Sequence, residues 1–464
     1  MRRRQLRRAP RNPLASNAWA IGSERSANGG GMIIGNPHFP WQGELRFSEV
    51  QLTTDDGINV YGAMLLGLPS VGIGFTDGVA WSHTVSAGNR FTAYEMTLDP
   101  ADPTRYMMDG KSTPMTPKEI TIEVLGDDGT TSEETRTYWS TEFGPVLNFP
   151  GVGWSDTSTV SYRDANLEND RLLAQYVEMS RAQSIEDLEA AHRENQGIPL
   201  FNTVAVDAEG TAWYADTSAT PNLSAEAQQA YSERLKAGGM TAIAREAGAV
   251  LLEGNTSRDR WVDDPDAPWP GVIPYGALPS IERDDYVINA NDSYWLPNAE
   301  ATIDGDYSLL NGEAGTERSV RTLENLAVVS DTTAEGPSGE DGKFDLDELT
   351  DAALLDAAYT ERQWRDGVIE RCLASAAPVA HQEILDAEGG VLVPAGSVDL
   401  KQACDVLEAW DGRYDVDSEG AVLWREFTEA VDFDQLWGTA FDEADPLRPR
   451  RGWPPPPAVA TIRS

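Results

Sequence analysis

Ser16-Asn17-Ala18-Trp19-Ala20-Ile21-Gly22 and the later stretch Gly35-Asn36-Pro37-His38-Phe39-Pro40-Trp41 decide the architecture of this chain. In the first, a serine heads a short apolar run that stops at a glycine. In the second, the apolar run that begins at Met32 passes into Pro, His and aromatic residues. Short apolar runs closed by turn residues are the signature of consecutive strands. Outward from this core the pattern repeats through Leu45 to Leu52, Ile58 to Leu65, Val71 to Phe75 and Val79 to Val85. Gly72 and Gly74 alternate with Val71, Ile73 and Phe75, which leaves one face of that strand bare for something else to approach.

Farther along, residues 99 to 165 read as an irregular β-rich insertion, with Asp127-Asp128-Gly129 as a hairpin turn. Helical periodicity appears over Asn169 to Ala182 and Ile185 to His192, the second opened by Ser184 as N-cap with Asp187 in its first turn. Asn202 to Val206 and Thr211 to Ala215 form a second strand block around the turn at Asp207 to Gly210. Residues 220 to 280 read as one polar helix and a loop rich in Trp and Pro. Tyr286 to Asn291 is a further strand, and helices dominate from about 317 to 431. Strands first, helices later, with strands between, predict a layered α+β fold rather than a doubly wound parallel sheet.

With 464 residues, 40% of them hydrophobic, the chain is long enough to bury roughly three quarters of the surface its unfolded form exposes. Residues 16 to 446 are expected to form one large domain, with residues 1 to 15 and the atypical tail 447 to 464 outside it. Both ends are basic against an acidic body, which fits disordered tails or an altered reading frame. The net charge of −40, from 76 acidic and 36 basic residues, excludes nucleic acid or an anionic membrane as a charge-driven partner. No run approaches the ~20 apolar residues of a membrane span. Cys372 and Cys404 are the two cysteines; they form either a disulfide, which implies an oxidising compartment, or two separate buried thiols.

The sequence has no G-x-S-x-G elbow, no H-E-x-x-H and no clustered Cys/His spacing. His38, His83, His192 and His381 are too scattered for a zinc site. The opening stretches are joined instead by Ala80-Trp81-Ser82-His83-Thr84-Val85, Gly197-Ile198-Pro199 with Asn202-Thr203, Asn289-Ala290-Asn291-Asp292-Ser293, Arg318 to Leu326 and Trp410 to Phe427. In these ordered blocks the sequence resembles the penicillin acylase family of N-terminal-nucleophile hydrolases, most closely its acyl-homoserine-lactone and lipopeptide acylases. The resemblance implies a four-layer αββα sandwich with a β-rich insertion and C-terminal helices, with residues 16 to 446 as its catalytic domain and residues 1 to 15 as a residual spacer.

It also implies a mechanism. A serine hydroxyl needs a base beside it, and in this family the base is the α-amine of the same residue, with a free pKa of about 7.7 to 8.0. Ser16 would therefore become the first residue of a mature β chain. The resemblance makes Val85 N–H and the Asn291 side chain the oxyanion donors, with Asn289 as competitor for the second role. His38 would help hold the nucleophile's amine and hydroxyl. Arg318 would orient the asparagine, with Arg321, one turn on, as its rival.

Phe39, Trp41 and Leu200 are candidates for the acyl pocket, Leu200 standing where related acylases often carry Trp. Neither metal nor cofactor is carried over. The expected substrates are N-acyl homoserine lactones, acylated lipopeptides or penicillin-like amides. The expected partner is an α chain from the same precursor or a neighbouring coding region, and the family's location is extracellular or periplasmic. A truncated, inactive acylase fragment is the rival reading. A β-rich binding module would explain the strands but leave the ordered Ser, His, Val, Asn and Arg as coincidence.

Overall fold

The computed structural model describes residues 15–148, 153–374, 378–385, 389–431 and 441–447. Expectations for residues 1–14 and 448–464 lie outside that range. Six strands lead the chain: β1 (Ala15–Ile21), β2 (Met32–His38), β3 (Phe47–Thr53), β4 (Asn59–Leu65), β5 (Ile73–Phe75) and β6 (Val79–Val85). The segment after them holds β7 (Phe91–Asp99), β8 (Asp102–Met108), β9 (Lys111–Pro114), β10 (Thr116–Leu125), β11 (Thr131–Thr141), β12 (Gly144–Pro145) and β13 (Ser158–Asp164). Strand structure here begins at Phe91 rather than near residue 99. β10 and β11 form a long, largely exposed hairpin with Gly129 at positive φ in its turn.

Helices α1 (Leu172–Met179) and α2 (Ile185–Asn195) follow. Ser184 caps α2 by accepting from Asp187 N, and Gln196 closes it in the left-handed region. Then come β14 (Phe201–Asp207), β15 (Ala212–Ala215), α3 (Ala225–Ala237), α4 (Met240–Glu246), β16 (Val250–Glu253), β17 (Ser280–Arg283) and β18 (Tyr286–Asn289). Residues 220 to 280 thus carry two helices and a strand, which returns parallel to β7, where the sequence predicted one helix and a loop. Helices α5 (Val320–Ser330), α6 (Leu346–Ala353), α7 (Tyr359–Ala374), α8 (Lys401–Ala409) and α9 (Ala421–Ala430) complete the chain, with two small strand pairs between α7 and α8.

Two sheets place the site. One has seven strands in the order β17-β15-β14-β6-β5-β4-β3; the other has three, β18-β1-β2. Period-two alternation tells which layer each face meets. On β14 and β15, Val204, Val206, Ala212 and Tyr214 pack with β1, β18 and α5. Ala205, Trp213 and Ala215 pack on the other side, against α1 and α2. The order is therefore helices, sheet, sheet, helices: the αββα sandwich that the resemblance implied. On β1 the Trp19 indole donates to Asn325 Oδ1 of α5 at 2.5 Å, so Ala18 and Ala20, of opposite parity, face the larger sheet. Ser16 shares that parity. The sheets are close here: a Cβ added to Gly35 would lie 2.9 Å from Ser82 Oγ.

The bare strand face at Gly74 is filled from within the sheet, since a Cβ there would meet Tyr61 O of β4 at 2.3 Å and Val71 at 2.7 Å. Cys372 and Cys404 are paired, with Cα atoms 5.7 Å apart, tying α7 to α8. Among the described residues no helix is long and apolar enough to cross a membrane.

Candidate active site

Ser16 sits at the open end of β1, its side chain between the sheets and only 1% exposed. Its register partner on β2 is Pro37, and that of Ala15 is His38. The Ser16 hydroxyl, expected to be the nucleophile, donates to Ala15 O at 2.5 Å and so lies against the carbonyl of the bond whose cleavage would free its nitrogen. The Ser16 nitrogen in this chain belongs to that peptide and stands where an α-amine would be after cleavage. It donates to Asn291 Oδ1 at 2.6 Å.

Asn291 is the hub. β18 ends at Asn289 because Asn291 takes φ +66°, a left-handed conformation that asparagine tolerates and a strand cannot continue through. This turns its amide back toward Ser16. Asn291 Oδ1 accepts from both Ser16 N and Arg321 Nη2 (2.9 Å), and Nδ2 donates to Val85 O at 2.9 Å. An amide nitrogen has two hydrogens, so one remains for a ligand. Asn289 has a different task. Its Oδ1 accepts from Thr84 Oγ1, Asn202 Nδ2 and Asn291 N, and its Nδ2 donates to Asp292 O. Its oxygen is fully engaged, and it props the backbone of Asn291.

Val85 offers its main chain on the same side. Ser86 N donates to Leu200 O next to β14, and alternate residues of an antiparallel ladder point their amides to opposite edges. The N–H of Val85 therefore points away from β14, on the side where its C=O meets Asn291. β5 is too short to cover that edge, pairing with β6 only at Trp81 and Ala80.

Arg318 does not touch Asn291. Its guanidinium bonds Ser293 Oγ at 2.6 Å and Thr316. The reason is the start of α5: Ser319 is the N-cap, accepting from Thr322 N, so Arg318 lies before the helix and Arg321 in its first turn, directed at β1. Arg321 donates to Ser16 O at 2.6 Å, Asn17 Oδ1 at 2.8 Å and Asn291 Oδ1. Burial pulls its pKa below the ordinary arginine value, against the opposing charge of Asp292. His38 bonds Asn36 Oδ1 at 2.6 Å and faces Asn17 Nδ2 at 3.5 Å, rather than the nitrogen or hydroxyl of Ser16. Its register position beside Ala15 keeps it one residue away. Partial burial and then the Arg321 charge hold its pKa below the usual histidine value.

Two recesses flank these groups. An apolar cavity of about 230 Å³ is lined by Pro37, Phe39, Phe47, Tyr176, Leu200 and Phe201 among others. A polar cleft of about 700 Å³ runs past Ser86, Asp164, Asp292, Glu313 and Arg318, with Leu200 on its wall as well. Trp41 lines neither recess: β2 ends at His38, the chain turns outward, and the indole is 95% exposed. Among the described residues no group of three or more His, Cys, Asp or Glu is placed to hold a metal ion.

The penicillin amidase family matches this sequence over residues 1–452. The chain belongs to the penicillin amidase family. Within that family it is 37% identical over 440 residues to an acyl-homoserine lactone acylase, PvdQ, of Pseudomonas putida, covering 94% of this chain and 52% of the relative. It is 34% identical over 441 residues to the aculeacin-A acylase of Actinoplanes utahensis, again covering 94% and 52%. The chain thus spans about half the length of the curated relatives it matches. In three dimensions it resembles a thermostable penicillin G acylase from Alcaligenes faecalis, with a TM-score of 0.61 at 18% identity over 91% of this chain and 64% of that one. That likeness shows the fold of a penicillin amidase.

Several residues of this candidate site in the penicillin amidase chain have no role in the sequence analysis. Asn17, Asn36, Thr84 and Asn202 carry its polar network, and Phe47, Tyr176 and Phe201 much of its apolar wall. Asn17, Asn36, Thr84 and Asn202 lie within the ordered blocks of the resemblance, and Phe201 stands next to Leu200 at the head of a strand, so each carried a usable signal; Phe47 and Tyr176 carried none.

Proposed function

We propose that this chain is the catalytic part of an acylase that transfers an acyl group from an amide nitrogen to Ser16 Oγ and then to water. The observation that carries the reading is Asn291, whose one side chain bonds the Ser16 nitrogen and the Val85 main chain together. Maturation requires Ser16 Oγ to attack Ala15 C=O; the ester formed is then hydrolysed, leaving Ser16 with a free amine.

In turnover that amine accepts the hydroxyl proton as Oγ attacks the substrate carbonyl carbon. Val85 N–H and the spare Asn291 Nδ2 hydrogen receive the oxyanion, a role in which one donor is worth roughly 2.7 to 4 kcal/mol. Collapse breaks the C–N bond, the amine returns the proton to the leaving nitrogen, and water repeats the sequence on the ester. Arg321, rather than Arg318, orients Asn291, and its positive charge beside Ser16 favours the neutral, basic form of the amine.

The acyl group belongs in the apolar cavity, with Phe39 and Leu200 in its wall, and the leaving amine in the polar cleft. That partition favours N-acyl homoserine lactones and acylated lipopeptides, with penicillin-like amides next. An α chain from the same precursor or a neighbouring coding region is the expected partner. The Cys372–Cys404 bond supports a periplasmic or extracellular site of action.

Intact-mass measurement of the protein co-expressed with its neighbouring coding region tests this. Loss of Met1 to Ala15 with acylase activity is expected. A chain that keeps those residues and hydrolyses none of the acyl homoserine lactones, lipopeptides or penicillin G would sink it.

A further inference from the structure

β1 and α5 are joined by two rungs of matching pitch. Asn17 and Trp19 stand two residues apart on the strand, ~7 Å, on the face turned to α5. Arg321 and Asn325 stand about one turn apart on the helix, ~6 Å. The Trp19 indole donates to Asn325 Oδ1 at 2.5 Å, and Arg321 Nη1 donates to Asn17 Oδ1 at 2.8 Å. Asn325 Nδ2 in turn donates to Arg321 O at 2.7 Å. One rung therefore fixes the backbone of Arg321 and the other its side chain.

The guanidinium has a choice of acceptors. Among the described residues its hydrogen bonds all go to neutral oxygens: Nη1 to Ser16 O at 2.6 Å and to Asn17 Oδ1, Nη2 to Asn291 Oδ1 at 2.9 Å. Yet the carboxylate of Asp292, next in sequence to Asn291, is close enough for its charge to oppose the effect of burial on Arg321. A carboxylate offers a guanidinium a stronger bond than a neutral amide does. Asp292 Oδ2 accepts from Ser319 N at 2.9 Å and Ser319 Oγ at 2.8 Å, and a carboxylate has acceptor sites beyond those two. What keeps Arg321 on Asn291 is thus the hold on its other nitrogen. Ser16 O supplies part of that hold as a backbone atom; Asn17 supplies the part that a side chain decides. The amide of Asn17 has one orientation open to it. A guanidinium only donates, so Oδ1 must face it, and Nδ2 reaches Asn36 Oδ1 at 3.4 Å on the residue paired with Asn17 across β1 and β2.

We infer that Asn17 is a positioning residue: it holds the Arg321 guanidinium on β1 and away from Asp292, so that Nη2 keeps the Asn291 amide in place against the Ser16 nitrogen. This rests on the reading of Ser16 and Asn291 as groups that meet the substrate. Released from Asn17, the guanidinium turns to Asp292, and Asn291 Oδ1 loses one of its two donors. The amide is then free to rotate, and its Nδ2 no longer stands where an oxyanion would form.

The test combines kinetics with a structure. On the matured protein, co-expressed with its neighbouring coding region and given N-decanoyl homoserine lactone, Asn17→Ala is expected to lower kcat on the order of tenfold while KM stays within about twofold. The same change should cost less than about twofold on an Arg321→Ala background, and again on an Asp292→Asn background, where the competing charge is gone. Asn17→Asp, which restores an acceptor of the same shape, is expected to regain most of the lost kcat. The crystal structure of the Asn17→Ala full chain gives the answer without turnover: Arg321 should be paired with Asp292 and off Asn291 Oδ1. Should Asn17→Ala fold poorly, Asn17→Ser, too short to reach the guanidinium, takes its place in both measurements. A guanidinium that stays on Asn291, a loss of kcat equal on all three backgrounds, or an effect on KM alone overturns the role of Asn17 and leaves the acylase reading standing. Failure of the unaltered matured protein to hydrolyse any of the acylated amides removes that reading and this role with it.

Discussion

On one side of Leu200 the walls are Phe39, Phe47, Tyr176 and Phe201 around about 230 Å³; on the other they are Ser86, Asp164, Glu313 and Arg318 around about 700 Å³. The small recess rewards each methylene that leaves water, at about 0.8 kcal/mol. The large one exchanges hydration for hydrogen bonds, each with a net gain nearer 1 kcal/mol and often less. Discrimination is therefore expected to be steep on the acid half of the substrate and shallow on the amine half. On the proposed function, the bond between the halves would lie where Val85 and Asn291 meet Ser16.

The severest way to break the comparison is to remove the chemistry and leave both recesses. Ser16→Ala should reduce hydrolysis by on the order of a million-fold, in a single-turnover assay, while decanoic acid still binds; residual turnover near the native rate would mean that another nucleophile acts. Next come the paired residues. Asn291→Ala should cost about 10² to 10³ in kcat, and Arg321→Ala, measured the same way, should cost far more than Arg318→Ala, whose contacts belong to the polar cleft. Equal losses at the two arginines would remove the distinction between them.

Leu200→Trp sharpens the comparison by enlarging the shared wall. The optimum acyl chain should shorten, with kcat/KM falling roughly fourfold per methylene excluded, whereas the ranking of leaving amines should change little. An unchanged chain-length profile would show that Leu200 does not bound the cavity.

The smallest effect concerns acid stability. Burial lowers His83 to about 4 and His192 to about 3. Between those values and the ordinary value near 6.5, the unfolded chain binds more protons than the folded one, so stability rises with pH through that window and is lost as pH falls. Thermal melts should show the midpoint dropping on acidification from pH ~6.5 toward ~4, and His192→Phe should flatten the slope. A midpoint independent of pH over that range would mean that neither histidine is held neutral.

Much of the fold was legible because the first six strands are short, apolar and punctuated by glycine, and because Ser184 and Asp187 mark a helix start without tertiary help. The site was less so. Asn289 and Asn291 are two apart and alike in type; what separates them is a backbone angle that no spacing records. Arg318 and Arg321 are separated by Ser319, whose capping role was a usable signal, since it puts the first arginine outside the helix and the second on its opening turn. Trp41 misled because an aromatic after a strand reads as pocket, whereas the chain had already turned outward. The second helix and the returning strand within 220 to 280 escaped because their apolar periodicity is weak and their packing partners, β7 and the aromatic loop, lie far off in sequence.

The pairing of Ala15 and Ser16 with His38 and Pro37 has a consequence for what cleavage would leave behind. Chain ends ordinarily fray. An end released here would start inside a ladder, tethered to β2 along its length and gripped by Asn291 and Arg321. The motional freedom that a new terminus would have to surrender on meeting its target has already been surrendered in folding, so such an enzyme emerges from its own cut with its reactive end aimed.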